Sequence, residues 1–227
     1  MMYSLAKYLV IFSVSFVMLG CTGMVRSVDK GEIQSVRKVV VVSQLGNTFI
    51  GSLTATTVFG NSSNKVDVSD WQVDQKTAAS AADAINAGGK MTAAALVSNA
   101  KLPQLLQAAA AQNADTLLLV ELAGYSNEPH FRPGYGFHRR QVFNFDKACV
   151  YSLFVTKAYN VKSGKEMGIA WSFPGWESIP CESANNLVWK DSFAKYSTEE
   201  KELIRKAVIA STTTNVRTSL KGLGLLP

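Results

Sequence analysis

Between Gly124 and Gln141 the chain gathers both of its histidines, His130 and His138, with three arginines and four aromatic rings. These residue types serve three kinds of chemistry. As a recognition loop, Tyr125, Phe131, Tyr135 and Phe137 offer flat apolar surface. Beside them, the guanidinium forks of Arg132, Arg139 and Arg140 match carboxylate or phosphate. As a metal site, His130 and His138 stand eight apart with Glu128 and Asp146 as further donors, a set without a recognised ligand spacing. As a lid, the rings cover a sheet edge while the charges face water. The stretch follows an apolar strand at the edge where open α/β sheets bind ligands, and long loops of this kind are often functional.

Other constellations carry less. Serines abound, but no Gly-x-Ser-x-Gly elbow is present. Gly134-Tyr135-Gly136 is a lone glycine pair, neither a phosphate loop nor a dinucleotide fingerprint. Asp67, Asp70 and Asp74 near Trp71 fit a solvated turn and a helix cap better than a carboxylate cluster. Trp171, Phe173 and Trp176 near Cys181 suit core around a disulfide more than a sugar-stacking patch. No catalytic residue, metal ligand or cofactor is therefore assigned. The enzymatic alternative is a hydrolase of an envelope ester or phosphate, with His130 or His138 as general base.

Cys21 points to an address. Lys7 supplies a short basic start, Tyr8 to Leu19 is a nearly unbroken apolar run, and Met18-Leu19-Gly20-Cys21 ends it. That order describes a secretory signal, and the run is shorter than the roughly 20 residues a bilayer span needs. The cysteine after Gly20 resembles the lipobox of bacterial lipoproteins, with Met18 where Leu is commonest. The resemblance implies cleavage before Cys21 and its acylation (palmitate among the chains). Thr22 in place of an Asp implies the outer membrane, facing the periplasm or the cell surface. Formal charge is +6, and loss of residues 1–20 removes only Lys7. The cations are scattered, so no nucleic acid is expected. With Cys21 lipidated, Cys149 and Cys181 remain as an even pair in an oxidising compartment, and a disulfide between them is expected.

Among the elements that must hold these residues, Val39 to Val42 and Leu117 to Val120 read as strands buried on both faces. Phe49 to Phe59 is a further strand, or two, and Gly60 to Asn64 a turn. Asp74 is expected to cap a helix over Thr77–Ala87. Met91–Ala100 gives a second helical pattern, and Pro103 opens a third to Gln112. Strand, helices and strand make a right-handed crossover with the two strands parallel. Cys149–Asn160 and Glu166–Phe173 form a long hairpin. Ser197 and Glu200 fit a capping box for a final helix to about Leu220.

The fold class expected is α/β: one domain with helices packed on a mixed sheet and a long β-hairpin. Ala114-Asp115-Thr116-Leu117-Leu118-Leu119-Val120 and the hairpin turn Asn160-Val161-Lys162-Ser163-Gly164-Lys165 resemble two segments of the α/β domains of the TolB N-terminal and CsgG type. Asn160 stands where Asp is usual. Several families of proteobacterial outer-membrane lipoproteins look similar. The resemblance implies fold and an envelope-assembly setting, and carries no catalytic residue. The expected layout is a signal peptide over 1–20, a lipidated Cys21 with flexible tether over 21–35, and one periplasmic domain over 36–227. The expected role is a non-enzymatic binding or assembly module of the cell envelope. It is held to the membrane by its lipid, and meets an envelope protein or glycan through residues 124–141.

Overall fold

The computed structural model describes residues 25–123, 131–172, 181–184 and 186–227. Cys21, Tyr125, His130, Phe173 and Trp176 lie outside the described residues, and Cys181 is described in its backbone. In chain order the elements are β1 (Val25–Arg26), α1 (Lys30–Ser35), β2 (Lys38–Gln44), β3 (Thr48–Ala55), β4 (Ser62–Asp67), α2 (Val73–Ala87) and β5 (Thr92–Ala95). There follow α3 (Leu102–Ala111), β6 (Thr116–Leu122), β7 (Gly134–Val142), β8 (Phe145–Asn160), β9 (Glu166–Trp171), β10 (Cys181–Ser183) and α4 (Thr198–Gly222).

The architecture is mixed α/β. Its main sheet path runs β4-β3-β7-β8-β6-β2-β5. The 16-residue β8 organises it, pairing antiparallel with β7 and β10 through its first half and with β6 and β9 through its second. β2 runs parallel to both β5 and β6. From β2 the chain steps outward to β5 and then back across β2 to β6. Right-handed crossovers in opposite directions put their helices on opposite faces. Accordingly, Ala78, Ala81 and Ile85 of α2 pack with Val39, Val41, Leu118 and Val120. Leu105 and Ala109 of α3 pack with Val40, Val42, Leu117 and Leu119. Alanines on α2 let its axis approach the sheet closely.

The two motif segments are staples of this fold. The Asp115 carboxylate accepts from the backbone N–H groups of Arg37 and Lys38, both at 2.9 Å, and so ties the start of β2 to the start of β6. Asn160 Oδ1 accepts from Ser163 N at 2.9 Å, closing the β8–β9 turn that Gly164 completes with φ 68°. Ser197 and Glu200 form the expected capping box of α4.

Four expectations change. Residues 25–35, expected as tether, are docked: β1 pairs with β9, Arg26 forms an ion pair with Glu166, and Val28 is buried with its N–H on Leu223 O. Thr92–Ala95 is a strand rather than helix. The edge of β2 supplies a ladder, and Asn86 clamps Ala93 through bonds of 2.7 and 3.0 Å, which outweighs alanine's helical propensity. Ser62–Asn64 belongs to β4 rather than a turn, its polar side chains alternating on an edge strand. Asp74 lies inside the first turn of α2 instead of capping it. Its carboxylate accepts from Ser43 Oγ, Leu45 N and Gly46 N at 2.6 to 3.0 Å and fastens the end of β2. Asp67 meanwhile accepts from Ser69 N, so these carboxylates serve separate turns.

Candidate functional site

The second half of the suspected loop is a strand. Gly134–Val142 forms β7, parallel to β3 and antiparallel to β8, in the middle of the sheet. Alternation then decides which predicted residues meet solvent. Tyr135 and Phe137 point to the helix-covered face and are fully buried. Tyr135 donates its hydroxyl to Gly46 O at 2.8 Å, and burial pushes its phenol pKa far up. Neither ring is available as docking surface, contrary to the expectation for an exposed loop. Arg139 is bidentate to Asp146, at 2.6 and 2.9 Å, and donates to Leu187 O. It is a strut. The glycine pair also finds its reason: a Cβ on Gly136 would lie 2.0 Å from Ile50 O, so only glycine lets β7 and β3 approach.

His138 takes the opposite face. It stands directly across from Ser52 in the β3–β7 register, and Ser52 Oγ lies 2.8 Å from His138 Nδ1. The imidazole is only 4 % exposed, and the Phe131 ring leans on it with centroids 4.8 Å apart. Phe131 also meets the Tyr151 ring edge-on at 4.9 Å. The Tyr151 hydroxyl is buried without a hydrogen-bond partner among the described residues, and burial pushes its pKa up to about 12. The Arg132 backbone and its charge, near that hydroxyl, work against the shift, and burial outweighs them.

Arg132 is exposed and rims a cleft of about 270 Å³ beside this cluster, with Ser52, Thr54, Asn61, Ser62 and Ser63 among its walls. One row further along the same face, Arg140 stands between Thr54 and Lys147 in register. The face thus presents hydroxyls, an amide and guanidinium groups over an aromatic floor. It suits an anionic or hydroxyl-rich ligand.

As a catalytic dyad, the Ser52–His138 pair is incomplete in one respect. β3 is flanked on both sides by β4 and β7, so its backbone N–H groups are committed to two ladders. Among the described residues, no pair of main-chain donors on β3 beside Ser52 is left to meet an oxyanion, usually the largest contribution in acyl transfer. Of the residues expected in the site, the structure brings together Phe131, Arg132 and His138, places Arg140 on the same face, and sends Tyr135 and Arg139 to the other. Ser52 and Tyr151 were missed by sequence. A strand over Phe49 to Phe59 was expected, but the partner of Ser52 lies 86 residues away.

Cys149 and Cys181 sit on neighbouring antiparallel strands, with Cys149 opposite Ser183 and Cys181 opposite Tyr151. Among the described residues no group of three or more metal-ligating side chains converges, and no helix is long and apolar enough to cross a membrane.

No family model and no curated protein matches the chain. Among solved structures it is similar to the PelC dodecamer from Paraburkholderia phytofirmans, with 12 % identity, 88 % of this chain and 94 % of that chain covered, and TM-score 0.38. A point variant of that dodecamer gives 12 % identity, coverage of 88 % and 98 %, and TM-score 0.37. Protein XCC0632 from Xanthomonas campestris, of family DUF330, gives 8 % identity, coverage of 88 % and 91 %, and TM-score 0.41. Likenesses this distant carry no argument about function.

Proposed function

We propose that this protein is a non-enzymatic binding module of the bacterial cell envelope, anchored to the outer membrane through acylated Cys21. It would hold an anionic group of an envelope protein or glycan over the β3–β7 face. The observation that carries the binding role is the arginine-rimmed polar cleft, set on a sheet face where, among the described residues, the main-chain donors flanking Ser52 are held in ladders. The address rests on the Met18–Cys21 lipobox, and the kinship to TolB N-terminal and CsgG-type domains on the Asp115 and Asn160 segments. A disulfide between Cys149 and Cys181 is part of the reading, supported by the adjacency of β8 and β10. It would close a loop of about 30 residues and add roughly 3 kcal/mol.

The address is tested by mass spectrometry of the mature N-terminus and by fractionation. An acylated Cys21, with Cys21→Ser lost from the membrane fraction, is the expected result. An unmodified cysteine would end the anchor reading. Masses with and without reductant test the disulfide.

A second reading, hydrolysis of an envelope ester or phosphate, is favoured by one distance: Ser52 Oγ at 2.8 Å from His138 Nδ1. It requires that Ser52→Ala and His138→Ala each abolish function in a knockout complementation assay. The binding reading expects both to complement, and Arg132→Ala to fail.

A further inference from the structure

We propose that two adjoining hairpin tips, carrying Phe59 and Phe143, insert into the surface of an anionic lipid bilayer. The three most exposed large apolar side chains among the described residues are Phe59 at 96 %, Phe143 at 86 % and Val58 at 76 %. All three sit on these tips, although scattered surface hydrophobics are the ordinary case. Val58 and Phe59 lie in the β3–β4 connection, and Phe143 in the β7–β8 connection. The two connections touch: Phe143 N donates to Thr56 Oγ1 at 3.1 Å, just beyond the last ladder pair, Ala55 with Gln141. Asn61 Oδ1, accepting from Ala55 N at 2.8 Å, holds the first tip closed.

Turn geometry alone does not call for Phe143. It is the first residue of a two-residue loop between Val142 and Phe145 and has φ 50°. That conformation favours glycine or asparagine, and an aromatic side chain there is strained. A large ring held at such a position, pointing into solvent, is a feature of a contact rather than of a fold.

Charge selects the occupant. Residues 54–64 carry none, whereas 139–147 carry Arg139, Arg140 and Lys147 against Asp146, which is itself bound to Arg139. Arg140 and Lys147 face each other across the ladder just behind the rings. Rings at the acyl boundary with cations at the level of the phosphates is the arrangement of an interfacial anchor.

The direction of β1 agrees. Val25 lies opposite Ala170, itself opposite Thr156, and β1 runs parallel to β8. From Arg26 back to Val25 the chain therefore heads toward the end of β8 that bears the tips. Acyl-Cys21 and the tips would give two points of attachment, which fix the orientation of the sheet on the bilayer. The inference depends on the envelope reading for that orientation alone; the lipid contact of the tips stands without it.

The test is photo-crosslinking with the full mature chain in vesicles of phosphatidylethanolamine and phosphatidylglycerol. A photoreactive residue replaces Phe59, Phe143 or, as control, the exposed Lys162 at the far end of β8. Lipid adducts from positions 59 and 143 should exceed those from 162 by about tenfold or more. Equal yields at all three positions, or none at the tips, overturn the proposal, as does an adduct between two copies of the chain. Phe143→Gly separates contact from folding: it should raise thermal stability by relieving the turn while lowering adducts from position 59. Lowered adducts with lowered stability would instead make Phe143 structural. If Cys21 proves unmodified and the tips still crosslink to lipid, the anchor reading falls and this one stands.

Discussion

The two faces of β8 are built on different terms. Toward α4, Ser152, Phe154, Thr156 and Ala158 meet a helix whose own polar residues are buried. Ser152 Oγ lies 3.0 Å from Ser211 Oγ, Asn215 Nδ2 donates to Ser152 Oγ and O, and Thr156 Oγ1 lies 2.7 Å from Ser219 Oγ. These groups satisfy one another, so the stripe fixes the docking of α4 on the strand. On the other face, Tyr151, Leu153 and Val155 meet Phe131 and Trp171, and the Tyr151 hydroxyl has no partner among the described residues. Beside it His138 is spoken for by Ser52, and the cleft opens at Arg132. The contrast teaches that polar residues in a core mean structure where their bonds close on themselves. They mean function where the set stays open to the outside.

Substitutions sharpen that contrast. Gly136→Ala should have the largest effect, since its Cβ would collide with Ile50 backbone. A loss above about 3 kcal/mol, or failure to accumulate, is expected in urea denaturation. Asn215→Ala on the closed face leaves Ser152 O and Oγ short of a donor, and should cost about 2 kcal/mol with binding at the cleft unchanged. Ser52→Ala should cost about 1 kcal/mol, because His138 keeps most of its packing. Tyr151→Phe removes an unsatisfied hydroxyl and should be neutral or stabilising by about 1 kcal/mol. A clear destabilisation would show that the hydroxyl has a partner and would break the comparison.

Tyr151 also sets an alkaline limit. Its folded pKa, pushed up to about 12, exceeds that of the unfolded chain, near 10. The unfolded state therefore loses its proton first, and stability present below about pH 10 falls as pH rises toward about 12. Burial of Tyr135 works in the same direction. Equilibrium unfolding across that window should show a shallower decline in Tyr151→Phe than in the parent.

Much of the fold was legible because its signals are local. Val39–Val42, Leu117–Val120, the β8–β9 hairpin and the Ser197–Glu200 cap each declare themselves within a few residues. Thr92–Ala95 did not, because alanines favour a helix and only the distant edge of β2 makes them a strand. The site was half legible. Arg132 and His138 stood out by type, but Pro133, Gly134 and Gly136 disguised β7 as a loop, although Tyr135 and Phe137 already alternated inward. Ser52 was invisible in one dimension, since its meaning comes from the pairing of β3 with β7.

Photo-crosslinking in living cells from position 132, on the rim of the cleft, tests the central claim most directly. A photoreactive residue there should capture a discrete envelope protein or glycan, and one at Val97, exposed near the opposite edge of the sheet, should not. No adduct from 132, in cells where the protein sits in the membrane fraction, would contradict the account.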